Sequence, residues 1–144
     1  MKNEILPAVS AAIFDERGRV LLHKRRDVDQ WCIISGHVEF GESVEQAILR
    51  EIREEANADA SIIRLIGVYS SPPSQLYQYE NKNIHYVTTY FEVSLQTGIP
   101  ENFSSDETAA IRFFNIDEIP ENFAKINPYW LEDALNRRGP AVFR

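Results

Sequence analysis

The chain has 144 residues, 44% of them hydrophobic and 26% charged, a formal net charge of −7 and a single cysteine, Cys32. That length suits one compact domain with a sizeable core, and the acidic balance argues against a general nucleic-acid binder, which needs a basic face. One cysteine excludes an internal disulfide and fits a reducing cytoplasm, and no long apolar run or N-terminal signal pattern appears, which predicts neither a membrane span nor export. Residues 7–14 alternate and are rich in small and β-branched side chains, predicting a strand that turns at Asp15-Glu16-Arg17-Gly18 into a second strand over 19–23. Residues 31–35 form a short apolar segment leading into Gly36. Ser43 with Gln46 has the form of a capping box, so a helix starts there with Glu42 just outside it. Residues 60–69 and 84–94 read as longer strands separated by a loop containing Pro72 and Pro73, and 110–114 as another short strand. Asn127-Pro128 has the form of an N-cap and first helical position, opening a last helix that carries Trp130, Leu131, Ala134 and Leu135 on its apolar side and stops near Gly139-Pro140. A mixed sheet with helices on both sides is the natural assembly of these elements.

The central helix carries the chemistry. At about 100° per residue, Val44, Ala47, Ile48, Ile52 and Ala56 share one broad face. Glu51 and Glu55 fall inside that arc, about 20° either side of Val44, and Glu54 lies about 80° away at its edge. Carboxylates on a core-facing stripe are costly unless something positive meets them. A glutamate-rich surface helix is the ordinary reading of a lone Glu-Glu pair, but solvated acids belong on the opposite face, with Gln46 and Arg53. Three carboxylates at i, i+3 and i+4 repel one another and hold protons more tightly. A hard divalent cation removes that repulsion, and oxygen-only ligands suit Mg²⁺ or Mn²⁺ rather than zinc. No Cys/His cluster competes, since His23, His37 and His85 are scattered. Two such ions could share the acids and clamp a pyrophosphate.

Gly36, Glu42, Arg50, Glu51, Ile52, Glu54 and Glu55, in that order and spacing, resemble the Nudix box, G-x5-E-x7-R-E-U-x-E-E-x-G-U with U a bulky aliphatic residue. Seven such matches arise by chance on the order of once in a million chains of this length. Asn57 stands where the family has glycine, Ala58 where it has a larger aliphatic, and Ser35 where the first of two glycines is common. Asparagine is the next-best residue for the left-handed turn that ends a helix, so the first departure keeps the geometry. The resemblance implies an α/β fold, the Nudix-type α/β/α sandwich with a mixed β-sheet, spanning 1–144 as one domain. It implies a hydrolase of phosphoric anhydride bonds with Mg²⁺ or Mn²⁺ as cofactor. Glu51, Glu54 and Glu55 would then hold the metal, with the Ser35 or Gly36 backbone as a further oxygen donor. Arg50 would orient the box glutamates, and Glu42 would tie the loop to the helix or bind a water on the metal. In the family an acidic loop residue before a late strand often adds a ligand or the general base. Glu107 is the candidate here, with Asp106 second, and either Glu54 or Glu107 would help deprotonate the attacking water. In the run Lys24-Arg25-Arg26, Arg25 or Arg26 would grip a substrate phosphate, with a solubilising hairpin end as the alternative.

The implied substrate is a nucleoside diphosphate linked to a group X. Pro73 lies fifteen places beyond Ala58, a spacing associated in this family with ADP-ribose hydrolysis, although a Pro-Pro pair can simply stiffen a loop. Tyr77, a downstream tyrosine, resembles a feature of dinucleoside polyphosphate hydrolases, and hydrolysis of modified nucleoside triphosphates is the other enzymatic alternative. Tyr69, Tyr77, Tyr79, Tyr86 and Phe113 offer faces on which a base could stack. A rival of another class is a nucleotide sensor that binds without cleaving; such domains usually lose box glutamates, and this chain keeps every acidic position. The expected partner is a nucleotide small molecule, with no stable nucleic-acid partner and no membrane. Many relatives pair up, so the resemblance allows a homodimer.

Overall fold

A computed structural model describes residues 1–144 as β1 (Lys2–Ile13), β2 (Val20–Arg25), β3 (Gln30–Cys32), β4 (Ile34–His37), α1 (Val44–Ala56), β5 (Ala60–Tyr69), α2 (Pro72–Gln75), β6 (Leu76–Gln78), β7 (Lys82–Leu95), β8 (Thr108–Phe114), α3 (Trp130–Leu135) and β9 (Val142–Phe143). The strands fall into two sheets. A six-stranded sheet runs β4-β1-β7-β5-β9 with β6 on β7, and a three-stranded sheet runs β3-β2-β8. The larger one is mixed: β1 and β7 are parallel from Lys2↔Lys82 to Ile13↔Val93, β5 and β9 are parallel, and the other pairings are antiparallel.

Period-two alternation distributes the side chains of both sheets between two cores. Val9, Ala11 and Ile13 of β1, Leu21 of β2 and Phe91 and Val93 of β7 pack with Ala47, Ile48, Ile52 and Ala56 of α1. Ala12, Val20, Leu22, Ile66, Tyr90 and Phe114 pack on the other side with Trp130 and Ala134 of α3. The result is the expected mixed α/β architecture with a helix on each side.

Helix α1 starts as its sequence dictates. Ser43 Oγ accepts from the Gln46 amide at 3.1 Å, and Gln46 Oε1 accepts from the Ser43 amide at 2.9 Å. It ends at Asn57, whose backbone is left-handed (φ 50°) and whose N–H donates to the Arg53 carbonyl at 3.0 Å.

Four expectations need correction. The first strand starts at Lys2, because β7 supplies partners from Lys82 onward; that half of β1 is largely exposed and so lacks a burial pattern. The segment 31–35 is two strands, β3 paired with β2 and β4 paired with β1, so it passes from one sheet to the other at Ile33. The Pro72-Pro73 loop contains a short helix with proline in its first turn. Finally, Asn127 caps a turn, its Oδ1 accepting from the Tyr129 amide at 2.9 Å, while α3 itself starts at Trp130 and ends at Asn136.

Candidate active site

Arg50 is the hub that locks the β4–α1 loop to the helix. Its Nε donates to Glu42 Oε2 at 2.7 Å and its Nη2 to Glu42 Oε1 at 3.1 Å, a two-pronged contact that suits a guanidinium. Nη2 also donates to the His37 carbonyl at 2.9 Å, and Nη1 to Glu51 Oε1 at 2.8 Å. Glu42 Oε1 accepts in addition from the Glu39 amide at 3.0 Å. The Arg50 guanidinium beside it holds the Glu42 carboxyl below its ordinary range. Glu42 therefore joins the loop to the helix. Arg50 reaches Glu54 one turn later at 3.3 Å, and Glu54 stays half exposed, as its place at the edge of the helical arc requires.

Glu51 and Glu55 do point inward, at 8% and 4% exposure, despite being acids. With Glu107, from the loop before β8, they bring carboxylate oxygens within 4.8 Å of one another. Glu54 is not in that group; Glu107 is the third member instead. Burial raises the proton affinity of both buried carboxyls. At Glu51, Arg50 offsets part of the rise. At Glu55 the rise is large, because the charges of Glu51 and Glu107 add to desolvation. Glu55 Oε2 is buried without a hydrogen-bond partner. Gly36 closes the other side, for a Cβ there would collide with the Glu51 carboxylate.

His23 of β2, Thr108 of β8 and Arg26, just beyond β2, register this group. His23 is 2% exposed, and burial pulls its pKa down to about 4, so it is neutral near pH 7. The Thr108 hydroxyl donates to the Glu55 backbone carbonyl at 3.2 Å and so accepts from His23 Nδ1 at 3.1 Å. That network assigns the proton to Nδ1 and leaves the Nε2 lone pair facing Glu55 Oε1 at 3.3 Å. A proton between two such acceptors relieves their repulsion, and the raised affinity of Glu55 favours it there. Arg26, meanwhile, anchors the loop that carries Glu107. Its amide donates to the Glu107 carbonyl at 3.1 Å and its Nε to the Ser105 carbonyl at 2.8 Å.

Glu55 and Glu107 face a cavity of about 640 Å³ lined from both sheets. Arg25, Ser35, Gly36, Asp106 and Tyr77 line it too, whereas Arg26 and Pro73 do not. Pro73 lines a second cavity, also about 640 Å³, that shares Tyr77 and Lys125 with the first. Tyr86 stacks on His37 with 5.5 Å between ring centroids and meets Tyr77 edge-on at 5.5 Å, while Tyr79 lies parallel to Tyr77. Phe113 packs against the α1-side core and offers the cavity no face. Sequence reasoning did not single out His23, Thr108 or Lys125. Alternation from Leu21 through His23 to Arg25 could have found the first, because it aims all three at the side of α1.

Hard oxygen donors, mutual repulsion and an orphaned buried oxygen fit a divalent cation of the Mg²⁺ or Mn²⁺ type. A family model for the NUDIX domain matches residues 4–134. The chain belongs to the Nudix family. Nudix chains are hydrolases that generally use a divalent metal, in agreement with the carboxylate group described above. Among relatives, a MutT-like protein of Streptomyces ambofaciens is 28% identical over 135 residues, 94% of this chain and 80% of that protein. An ADP-ribose pyrophosphatase of Methanocaldococcus jannaschii is 30% identical over 119 residues, 80% of this chain and 66% of that one. The crystal structure of a UDP-X diphosphatase superposes with a TM-score of 0.73 at 28% identity, covering 90% of this chain and 60% of the other. The match thus spans less than two thirds of the latter two proteins. No helix of this Nudix chain is long and apolar enough to cross a membrane.

Proposed function

We propose that this Nudix chain hydrolyses the diphosphate bond of a nucleoside diphosphate linked to a group X, with Mg²⁺ or Mn²⁺ as cofactor. The observation that carries the reading is the group Glu51, Glu55 and Glu107 around a buried, unpartnered Glu55 oxygen. These three would hold the cation, with backbone oxygens of Ser35 or Gly36 beside them. When bound, such a cation neutralises charge on phosphate oxygens and lowers the pKa of water. The chain's own residues do the rest. Glu107, the exposed member of the group, accepts the proton of the attacking water at a carboxylate oxygen, and Glu54 is the second candidate for that step. Arg50 and Glu42 hold the loop and Glu51 in place during turnover. Arg25 lines the cavity from β2, and the faces of Tyr77, Tyr79 and Tyr86 offer a platform for the base.

ADP-ribose or another nucleotide sugar is the favoured substrate. The names of the Methanocaldococcus relative and of the UDP-X diphosphatase support that choice. So does the second cavity beside the first, which offers room for a group X. The test is release of nucleoside monophosphate from ADP-ribose, UDP-sugars, dinucleoside polyphosphates and nucleoside triphosphates, in Mg²⁺ and then in chelator. Fastest metal-dependent release from a nucleotide sugar is expected. Faster turnover of triphosphates or dinucleoside polyphosphates would reassign the substrate, and tight binding without any turnover would leave a sensor.

A further inference from the structure

We propose that Lys125 is the residue that grips the substrate's phosphates, at the saddle where the two cavities meet; this rests on the hydrolase reading above. The problem it solves is electrostatic. Asp27, Glu55, Asp106 and Glu107 all line the first cavity, so a diphosphate entering it meets carboxylates. The only lysine or arginine residues lining that cavity are Arg25 and Lys125. Arg25 is already matched, its Nη2 donating to Asp27 Oδ2 at 2.6 Å. In the second cavity Arg144 is likewise committed, to Asp133 at 2.7 Å. Nearby Lys24 pairs with Asp29 at 3.1 Å, and Arg112 lies over the Phe114 ring at 4.0 Å. Lys125 makes no ion pair, and it lines both cavities.

Its backbone is fixed although its head group is free. The Trp31 amide donates to the Asn122 carbonyl at 3.0 Å, and the Ala124 amide donates to the Trp31 carbonyl at 2.8 Å, so this segment lies against β3 like an added strand. Flanking Ala124 and Asn127 are buried. A solvated ammonium on a four-carbon stem can follow a phosphate through the reaction without demanding one planar geometry. Its position between the cavities suits a diphosphate carrying a group on each side, the base end in the first cavity and X in the second.

Steady-state hydrolysis of ADP-ribose in saturating Mg²⁺ is compared for the wild type, Lys125→Met and Lys125→Arg, alongside calorimetric titration of ADP-ribose into each metal-free protein. A charge-assisted contact of ordinary strength predicts a KM raised roughly ten- to a hundredfold in the Met variant. Its kcat stays within about twofold, because the contact is made equally in ground and transition states. Lys125→Arg recovers most of the loss, and the titration weakens in parallel for the Met variant alone. The Met side chain keeps the stem, so an unchanged melting temperature separates lost charge from lost fold. A KM within about twofold of wild type overturns the proposal. Should the wild type cleave no nucleotide at all, the hydrolase reading falls and the titration decides. Binding weakened at least about tenfold by Lys125→Met then upholds the contact, and equal or absent binding in the wild type and variant refutes it.

Discussion

Replacing Glu55 by glutamine separates the cost of the carboxylate group from its use. Three carboxylates whose oxygens lie within 4.8 Å of one another repel strongly. At that distance one charged pair costs about 3.5 kcal/mol at an effective dielectric near 20. Solvent around the exposed Glu107 and the proton held between Glu55 and His23 reduce this, leaving a net gain for the variant of about 1–3 kcal/mol. The glutamine amide also donates permanently to His23 Nε2, which faces the side chain at this position. In chelator at neutral pH, Glu55→Gln should therefore melt about 3–10 °C above wild type. The gap should widen as pH rises above about 4.5. A carboxyl whose folded pKa is raised contributes stability that is complete below the unfolded value and is lost as pH climbs through the folded one. With Mg²⁺ at a thousandfold its dissociation constant the order reverses, because the wild type gains about 4.1 kcal/mol and the variant loses most of that response. Metal-dependent kcat should fall at least about a thousandfold. Differential scanning fluorimetry in chelator and in Mg²⁺ reads the first two effects. A variant that melts below wild type in chelator and gains as much from Mg²⁺ would falsify the assignment of Glu55.

Three further tests address the surroundings. Because burial lowers the His23 pKa from 6.5 to about 4, that group's contribution is complete above pH 6.5 and is lost as pH falls through 4. Metal-free wild type should lose about 3 kcal/mol over that interval, and pH-dependent melts of His23→Gln should be flatter. Gly36→Ala should drive the Glu51 carboxylate out of place, costing about 1–3 kcal/mol and weakening Mn²⁺ binding at least about tenfold by electron paramagnetic resonance; wild-type affinity would refute the close approach. Asn57→Gly, at a left-handed position, should raise stability by about 0.5 kcal/mol in urea unfolding and leave turnover unchanged.

What the sequence disclosed, it disclosed through periodicity. The 100° repeat of α1 placed Glu51 and Glu55 inside and Glu54 at the rim, and burial follows that order. The capping box and Asn57 fixed the ends of the same helix from local chemistry alone. Glu107 has no such signal, because its distance to Glu55 depends on how β8 lies beside β2 and α1, and only the family resemblance pointed to it. Arg25 and Arg26 are neighbours in the chain, yet strand alternation sends one to the cavity and the other to the Glu107 loop. The passage of residues 31–35 between sheets is hidden for a similar reason: β3 and β4 are only three and four residues long, too short for alternation to say which partner each takes. Lys125 lies in an irregular segment where no repeat operates at all.

The parallel pairing of β1 with β7 also sets a timetable for biosynthesis. Each residue of β1 finds its partner 80 positions downstream, as 82 − 2 shows for the first pair. At about 5–20 residues per second, a ribosome takes about 4–16 s to deliver that partner. Throughout the wait, the stretch 8–13, wholly buried in the finished protein, is a sticky apolar ribbon whose β7-facing edge is open, even once β4 has paired with the other. Soluble yield during rapid expression should consequently track chaperone supply and growth temperature more closely than it tracks equilibrium stability.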